Sequence, residues 1–252
     1  MKITLLIPTY NVEDCLERCL SSAADLADEI LVVDSYSTDH SLEIARRFGA
    51  RILQRDYENS AAQKNWAIPQ ASHSWILLLD ADEWLSPSLH AEIHRLKSAK
   101  EEPVEIGFWI YRANHFMGRR IRYSGWQKDK VIRFFQRDFC RYESKKVHAE
   151  ITTTGNVGRL ASRLFHNTYK DKTSHENKLR RYAQWQAQDY DLRTGRITVV
   201  HTHLKPAWRF FRHYFLQLGL LDGYPGFFVA YYGYFAVRER YRALKDFRQS
   251  SH

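Results

Sequence analysis

The chain predicts an α/β fold, a Rossmann-like mixed sheet flanked by helices, followed by an α-helical appendage rich in aromatic and basic residues. Three observations carry the prediction. Over the first hundred residues, short apolar runs alternate with segments whose apolar positions recur at helical spacing, the pattern of a parallel sheet wrapped by crossover helices. Residues 76 to 83 read Ile-Leu-Leu-Leu-Asp-Ala-Asp-Glu, an apolar run too short for anything but a strand buried on both faces. After residue 200 the chain becomes dense in Trp, Phe, Tyr, Lys and Arg.

Taken in order, strands are expected near residues 2–7, 29–34, 50–53 and 75–79. Val12, Cys15, Leu16, Cys19 and Leu20 mark a first helix; Leu42, Ile44, Ala45 and Phe48 mark a second, which Gly49 stops. A third helix is expected from Ser60 to Ala71, with Pro69 near its end. The fourth runs from Pro87 to Lys97 and is started by Ser86-Pro87, because serine caps a helix and proline's fixed φ suits its first turn. Glu101-Glu102-Pro103 breaks the alternation. Beyond it, Ile106 to Tyr111 and Lys130 to Phe135 read as short strands separated by loops around Gly118 and Gly125, a mixed extension of the sheet. Residues 173–192 read helical, 205–247 form the tail, and a boundary is expected between 170 and 200.

At 252 residues and 44% hydrophobic content the chain can bury a substantial core, and it shows neither repeats nor low-complexity tracts. Lys and Arg total 38 against 29 acids, a formal charge of +9 that calls for an anionic partner: nucleic acid, a phosphorylated sugar or an acidic lipid surface. Cys15, Cys19 and Cys140 lack metal-ligand pair spacing and read as buried cytosolic thiols. Lys2-Ile3-Thr4-Leu5-Leu6-Ile7 is too short for a secretory core and lacks a cleavage site, so no export signal is expected.

Three of the four expected parallel strands end in residues able to contact a nucleotide: Pro8-Thr9-Tyr10-Asn11, Asp34-Ser35-Tyr36-Ser37-Thr38-Asp39 and Asp80-Ala81-Asp82. The carboxyl ends of such strands open onto the crevice where open α/β sheets bind ligands. Asp34 ends the run Ile30-Leu31-Val32-Val33, where a carboxylate is costly to bury unless it accepts hydrogen bonds, and a base N–H is a suitable donor. Asp80, Asp82 and Glu83 repel one another, and a hard divalent cation bridging to phosphate oxygens relieves that repulsion. Each segment alone has a local explanation as a turn or a helix cap; their recurrence at one edge is the signal. No Gly-x-Gly-x-x-Gly or Gly-x-x-x-x-Gly-Lys-Ser/Thr follows the first strand, which leaves a metal on Asp82, helped by Lys64, to hold a diphosphate.

Together, Ile7-Pro8-Thr9-Tyr10-Asn11, Val33-Asp34-Ser35 with Ser37-Thr38-Asp39, Gln63-Lys64-Asn65 and Leu79-Asp80-Ala81-Asp82-Glu83 resemble, in order and spacing, the family 2 glycosyltransferases of GT-A fold. The resemblance implies that Asp34 binds the base, usually uracil, and that Asp80 and Asp82 hold a divalent metal, Mg or Mn, on the diphosphate of a nucleotide sugar. Pro8, Thr9, Tyr10, Asn11, Lys64 and Ala81 complete the expected donor site. It further implies a GT-A catalytic domain over 1–170, with a nucleotide-sugar half to about residue 100 and an acceptor half after it, and a separate helical region over 171–252. Later segments, Trp126, Val131-Ile132-Arg133-Phe134-Phe135, Lys146-Val147-His148, Leu164-Phe165-His166-Asn167 and Leu220-Leu221-Asp222-Gly223, resemble the subgroup that adds sugars to lipopolysaccharide core, which includes β-1,4-glucosyltransferases. That subgroup implies an inverting transfer of glucose from UDP to a lipid-linked saccharide. Where the wider family has a second Asp and a Gly, this chain has Ser35 and Tyr36; where the subgroup has Val-His-Glu, it has Val147-His148-Ala149-Glu150. Transfer with inversion needs a base for the acceptor hydroxyl. In an extended segment His148 and Glu150 share a face, so either serves, and Glu150 ranks slightly ahead. Arg133, His166 and Lys178 are weaker candidates for phosphate or acceptor contacts.

From His201 onward eight basic residues face three acids, and fourteen large rings accompany them, a density that a membrane surface would accept. The uncharged run from Gly223 to Val237 falls short of the roughly 20 apolar residues of a spanning helix and is expected to lie in the interface. The enzyme is therefore expected in the cytoplasm, peripheral at the cytoplasmic face of the inner membrane; the alternative for the tail is packing on the catalytic domain or a dimer contact. Two other functions compete: a transferase acting on polyprenyl phosphate or another polysaccharide precursor, and a basic nucleic-acid-binding module without catalysis. The acids at the strand ends argue against the second, since they would repel a phosphate backbone.

Overall fold

The computed structural model describes residues 1–116, 118–145, 149–169 and 172–250. The elements in chain order are β1 (Ile3–Thr9), α1 (Glu13–Ser21), β2 (Glu29–Asp34), α2 (Ser41–Arg47), β3 (Arg51–Gln54), α3 (Ser60–Ala67), β4 (Trp75–Leu78), β5 (Glu83–Leu85) and α4 (Pro87–Ser98). They continue as β6 (Gly107–Phe116), β7 (Arg119–Arg120), β8 (Lys130–Gln136), β9 (Cys140–Tyr142), β10 (Ile151–Thr153), β11 (Val157–Tyr169), α5 (Lys172–Asp191), α6 (Lys205–Phe211) and α7 (Tyr224–Ser250). Two compact units result: Met1–Ala113 with Asp129–His166, and Asn114–Lys128 with Asn167–His252.

The first unit is built on a mixed sheet of order β3-β2-β1-β4-β8-β6-β11-β5. β3, β2, β1 and β4 run parallel, while β8 is antiparallel to β4 and to β6, and β5 is antiparallel to β11. Side-chain alternation along the central strands divides the core in two. Ile3, Leu5 and Ile7 of β1 pack with Leu16 and Leu20 of α1 and with Leu89 and Ile93 of α4. Leu6, with Leu31, Val33, Ile76 and Leu78, packs on the other face with Ala61, Ala67 and Ile68. A strand apolar on both sides, such as Trp75–Leu78, is thereby fully buried.

Helix boundaries follow local chemistry. Gly49, at φ +69°, ends α2 in a Schellman motif: its N–H donates to the Arg46 carbonyl and that of Ala50 to the Ala45 carbonyl. The Ser86 hydroxyl accepts from the Leu89 N–H with Pro87 in the first turn of α4, as the sequence predicts. α3 stops at Ala67, earlier than expected, and Ile68–Gln70 tightens into a 3-10 turn at Pro69. Three features escaped the sequence reading: the short β5, the β9–β10 ribbon and the length of β11.

The second unit joins the β6–β7 hairpin, paired through His115–Arg120 and Phe116–Arg119, to the C-terminal helices. Its core is Phe116, Ile121, Val229 and Tyr232, with Phe228 stacked on Phe116 at 6.1 Å. The run from Gly223 to Val237, expected in a membrane interface, instead supplies much of this core: Val229, Ala230, Tyr232 and Phe235 are buried because α7 packs against α5 and α6. The exposed rings lie earlier, on Trp208, Phe211, Phe215, Tyr224 and Phe227. Among the described residues no helix is long and apolar enough to cross a membrane.

Candidate active site

The parallel strands deliver the three predicted segments to one edge of the first unit, and the loops after β1 and β2 are bonded to each other. Register pairs Thr9 with Asp34 across β1 and β2. The Asn11 N–H donates to Ser37 Oγ at 2.9 Å, and Asn11 Oδ1 accepts from the Thr38 N–H at 2.8 Å. The first N–H groups around α1 are satisfied from the second loop: Val12 donates to Ser41 Oγ and Glu13 to Asp39 Oδ2. Glu13 Oε2 returns the favour to the His40 N–H, so each loop caps the helix that follows the other. Asn11 and Tyr36 hold positive φ, +50° and +60°, a strained state for residues with a Cβ that concentrates at functional sites. Tyr10 and Tyr36 are exposed at 59% and 51%. Pro8 is half-buried above them in β1.

Asp34 is fully buried. Its Oδ1 accepts from Thr9 Oγ1 at 3.0 Å and Ser37 Oγ at 2.5 Å, and its Oδ2 from the Ser37 N–H at 2.9 Å and Gln54 Nε2 at 3.3 Å. Neutral donors thus supply the hydrogen bonds that burial of the carboxylate demands. The Gln54 contact is the longest of the four.

The acids after β4 divide between two environments. Glu83 is fully buried and accepts from Arg133 Nε at 2.8 Å, Arg133 Nη2 at 3.0 Å, Arg112 Nη1 at 3.3 Å and the Asp80 N–H at 3.1 Å. Asp80 pairs with Lys64 Nζ at 2.7 Å and with the Arg133 guanidinium. Burial alone would raise its pKa, but Arg133 and then Lys64 hold the carboxyl far below the usual carboxylate range. Burial likewise pulls the Lys64 ammonium and the Arg133 guanidinium down, and their carboxylate partners more than offset it, Asp80 foremost for each. The expectation that a metal is needed to relieve repulsion among three acids is therefore corrected: the chain neutralises Asp80 and Glu83 with Lys64, Arg133 and Arg112. Arg133, a candidate phosphate contact, is 4% exposed and fully engaged in this network. Ala81 is buried in the core between the two environments.

α3 organises the edge through three consecutive residues. Gln63 Nε2 donates to Ser35 Oγ at 3.1 Å, Lys64 pairs with Asp80, and the Asn65 side chain holds the Tyr142 main chain by two bonds of 2.8 and 2.9 Å. Tyr142 Oη accepts from Arg133 at 2.7 Å, which brings the β9–β10 ribbon beside the acidic cluster. Glu150 precedes β10 in that ribbon, exposed, its carbonyl accepting from the Glu143 N–H at 2.9 Å. It stands immediately before the strand. His148 lies outside the described residues.

Asp82 differs from its neighbours: its side chain is 39% exposed, with Oδ2 3.6 Å from His166 Nε2. The antiparallel register of β11 with β5 sets His166 opposite Glu83 and so beside Asp82, a juxtaposition that no local signal announces. Among the described residues no group of three His, Cys, Asp or Glu side chains is arranged as a metal cage. A divalent ion carried on a diphosphate needs only one or two protein ligands, and Asp82 with His166 is a donor set that fits it. Asp80, with each carboxylate oxygen engaged by a cation of the chain, fits better as the support beneath Asp82 than as a ligand. Lys178 belongs to the second unit, 5.8 Å over the Tyr182 ring.

Comparison with known proteins agrees with this geometry. The family model described as glycosyl transferase family 2 matches residues 4–164. An uncharacterized glycosyltransferase of Rickettsia typhi is 24% identical over 235 residues, 90% of this chain and 80% of the relative. The lipopolysaccharide core biosynthesis glycosyltransferase LpsC of Rhizobium meliloti is 30% identical over 164 residues, 63% of this chain and 60% of LpsC. Among solved structures, S. aureus TarS 1–349 in complex with UDP-GlcNAc is similar over 99% of this chain and 92% of that one, with a TM-score of 0.53 at 15% identity. The chain belongs to the family 2 glycosyltransferases and has the GT-A fold.

Proposed function

We propose that the enzyme transfers a hexose, glucose in the reading the motifs favour, from UDP to a lipopolysaccharide-core or related lipid-linked saccharide, with inversion at the anomeric carbon. The carrying observation is the bonded pair of loops after β1 and β2, which encloses Asp34 at the sheet edge that also presents Asp82. In this reading Asp34 accepts the N–H of the base, taking the place of Gln54, while Pro8, Thr9, Tyr10 and Asn11 shape the base and ribose side. Asp82 and His166 would hold Mg²⁺ or Mn²⁺, which when bound would neutralise charge on the departing diphosphate. Lys64 and Arg133 keep Asp80 ionised and fixed beneath Asp82. Glu150, or His148 in its place, removes the proton from the acceptor hydroxyl as that oxygen bonds to the anomeric carbon and the bond to the diphosphate breaks. The naming of LpsC, and the subgroup motifs, support the acceptor class. The exposed rings between Trp208 and Phe227 support a place at a membrane surface, the cytoplasmic face of the inner membrane.

A panel of UDP, GDP and ADP sugars, scored by thermal shift with and without Mn²⁺, tests this reading. Stabilisation by UDP sugars that is enhanced by Mn²⁺ is expected. Stabilisation by GDP or ADP sugars alone would replace the donor assignment, and none by any would remove it.

A further inference from the structure

The second unit contains a cavity of about 380 Å³ that the proposed transfer does not use. Arg119, Arg120, Arg122 and Tyr123 line one side; Leu221, Asp222 and Pro225 line the other. All three arginines are exposed. The acid in the lining does not face them with free oxygens: Asp222 Oδ1 accepts the Arg122 N–H at 3.0 Å and Oδ2 the Tyr123 N–H at 2.8 Å. That arrangement uses the carboxylate to fix the loop's main chain and leaves the guanidinium groups available for an external anion.

The loop is held at both ends as well. Ile121 N–H donates to the Asn114 carbonyl at 2.8 Å, Ser124 N–H to the Gln217 carbonyl at 2.9 Å, and the Ser124 carbonyl meets His213 Nδ1 at 2.8 Å. The opposite wall is equally constrained, since a Cβ at Gly226 would lie 1.8 Å from the Gly219 carbonyl oxygen. Three cations on a fixed loop around a small cavity are preorganised for phosphate, which guanidinium recognises through paired N–H donors. The chain that carries the Leu221–Pro225 wall is apolar and exposed: Leu218, Leu221, Tyr224 and Phe227 are 47%, 56%, 55% and 42% exposed. A soluble anion has use for the charges but not for this rim, whereas an amphiphile has use for both.

We propose that this pocket binds the phosphate of an anionic phospholipid, with the rim seated in the acyl region of the same leaflet. The proposal rests on the membrane-surface reading above and locates it on residues 119–123, outside the basic tail that suggested it, together with 221–227 within that tail.

The test is sedimentation of the full chain with vesicles of phosphatidylcholine alone and of phosphatidylcholine with phosphatidylglycerol. Wild type is compared with Arg119→Gln/Arg120→Gln/Arg122→Gln and with a control of equal charge loss on exposed residues of the same unit, Arg193→Gln/Arg196→Gln/Lys245→Gln. Each guanidinium near an anionic surface contributes about fivefold in partition, so the pocket variant is expected to lose about a hundredfold on anionic vesicles. It should bind neutral vesicles as wild type does, and the control should lose far less. Equal losses in the two variants overturn the pocket in favour of diffuse charge. Failure of wild type to bind either vesicle overturns the membrane reading itself. A thermal shift by inorganic phosphate at matched ionic strength, present in wild type, absent in the pocket variant and without preference for anionic vesicles, overturns the lipid in favour of a soluble phosphorylated ligand.

Discussion

The two units treat charge in opposite ways. In the first, buried ionisable groups are matched inside the chain: Glu83 and Asp80 against Arg133, Arg112 and Lys64, with Asp34 against hydroxyls and amides. In the second, burial keeps His175 and His213 neutral, Arg180 and Arg248 pair with Glu239 and Asp191, and Arg119, Arg120, Arg122 and several aromatic rings face outward. Among the described residues, five of the exposed large hydrophobic side chains lie in the first unit and thirteen between Leu192 and Phe227. A matched interior fixes geometry, which suits chemistry at a strand edge; an unmatched exterior suits an external surface. The comparison also sets Asp82 apart: its carboxylate meets His166 rather than Arg133, and it is the most exposed of the acids after β4.

The comparison breaks most visibly at Asp82. Asp82→Ala should lower sugar transfer by about 10³-fold or more while circular dichroism and the unfolding midpoint stay near wild-type values, because Asp82 is 39% exposed and the buried Glu83–Arg133 pair is left intact. Glu83→Ala should do the reverse and cost about 3–5 kcal/mol in urea unfolding, since it removes a buried carboxylate from both Arg133 and Arg112 and leaves them Asp80 and Asp129 as charged partners. Glu83→Met with Arg133→Met should recover much of that loss; a single variant as stable as wild type would show that the network contributes nothing. Glu150→Gln should depress kcat by about 10²-fold with donor binding intact, and normal turnover would pass the base role to His148.

Acid separates the units. Burial, then Lys178, depresses the His175 pKa to about 3, and burial also lowers that of His213. A histidine held neutral in the fold contributes stability that is complete above its unfolded pKa of about 6.5 and is lost as pH falls towards the folded value. For His175 that loss is about 2 kcal/mol by pH 5. In the first unit Glu29 is lowered to about 2, with burial opposing and bonds from Thr4 and Ser72 prevailing, so its contribution stays whole above the ordinary carboxylate range and is lost only as pH falls towards 2. Hydrogen exchange between pH 7 and 5 should therefore show the helical unit loosening first. Uniform loosening would mean the histidines are not the cause. The smallest effect is at Thr9→Val, which removes one donor to Asp34 and should cost about 1–2 kcal/mol.

Much of the first unit was legible because its signals are local. Alternating apolar runs, Ser86-Pro87 and Gly49 each act within a turn or two, and β1–β4 and α1–α4 lie close to where the sequence predicts them. The strand-end residues were legible for the same reason. The neutralisation of Glu83 was not, since Arg133 is 50 and Arg112 29 residues away. His166 reaches Asp82 only through antiparallel pairing of β11 with β5. The hairpin of residues 114–128 belongs with the tail through bonds spanning 89 to 100 residues, and composition alone kept the two apart. Composition likewise counts the tail's rings without saying which face of α7 packs on α5.

Calorimetric titration of UDP into wild type and Asp82→Asn, each with and without Mn²⁺, tests the central claim most directly. The account predicts that Mn²⁺ tightens UDP binding to wild type by tenfold or more, about 1.4 kcal/mol, and that Asp82→Asn loses this gain while retaining the metal-free affinity. UDP affinity indifferent to both Mn²⁺ and Asp82 would contradict it.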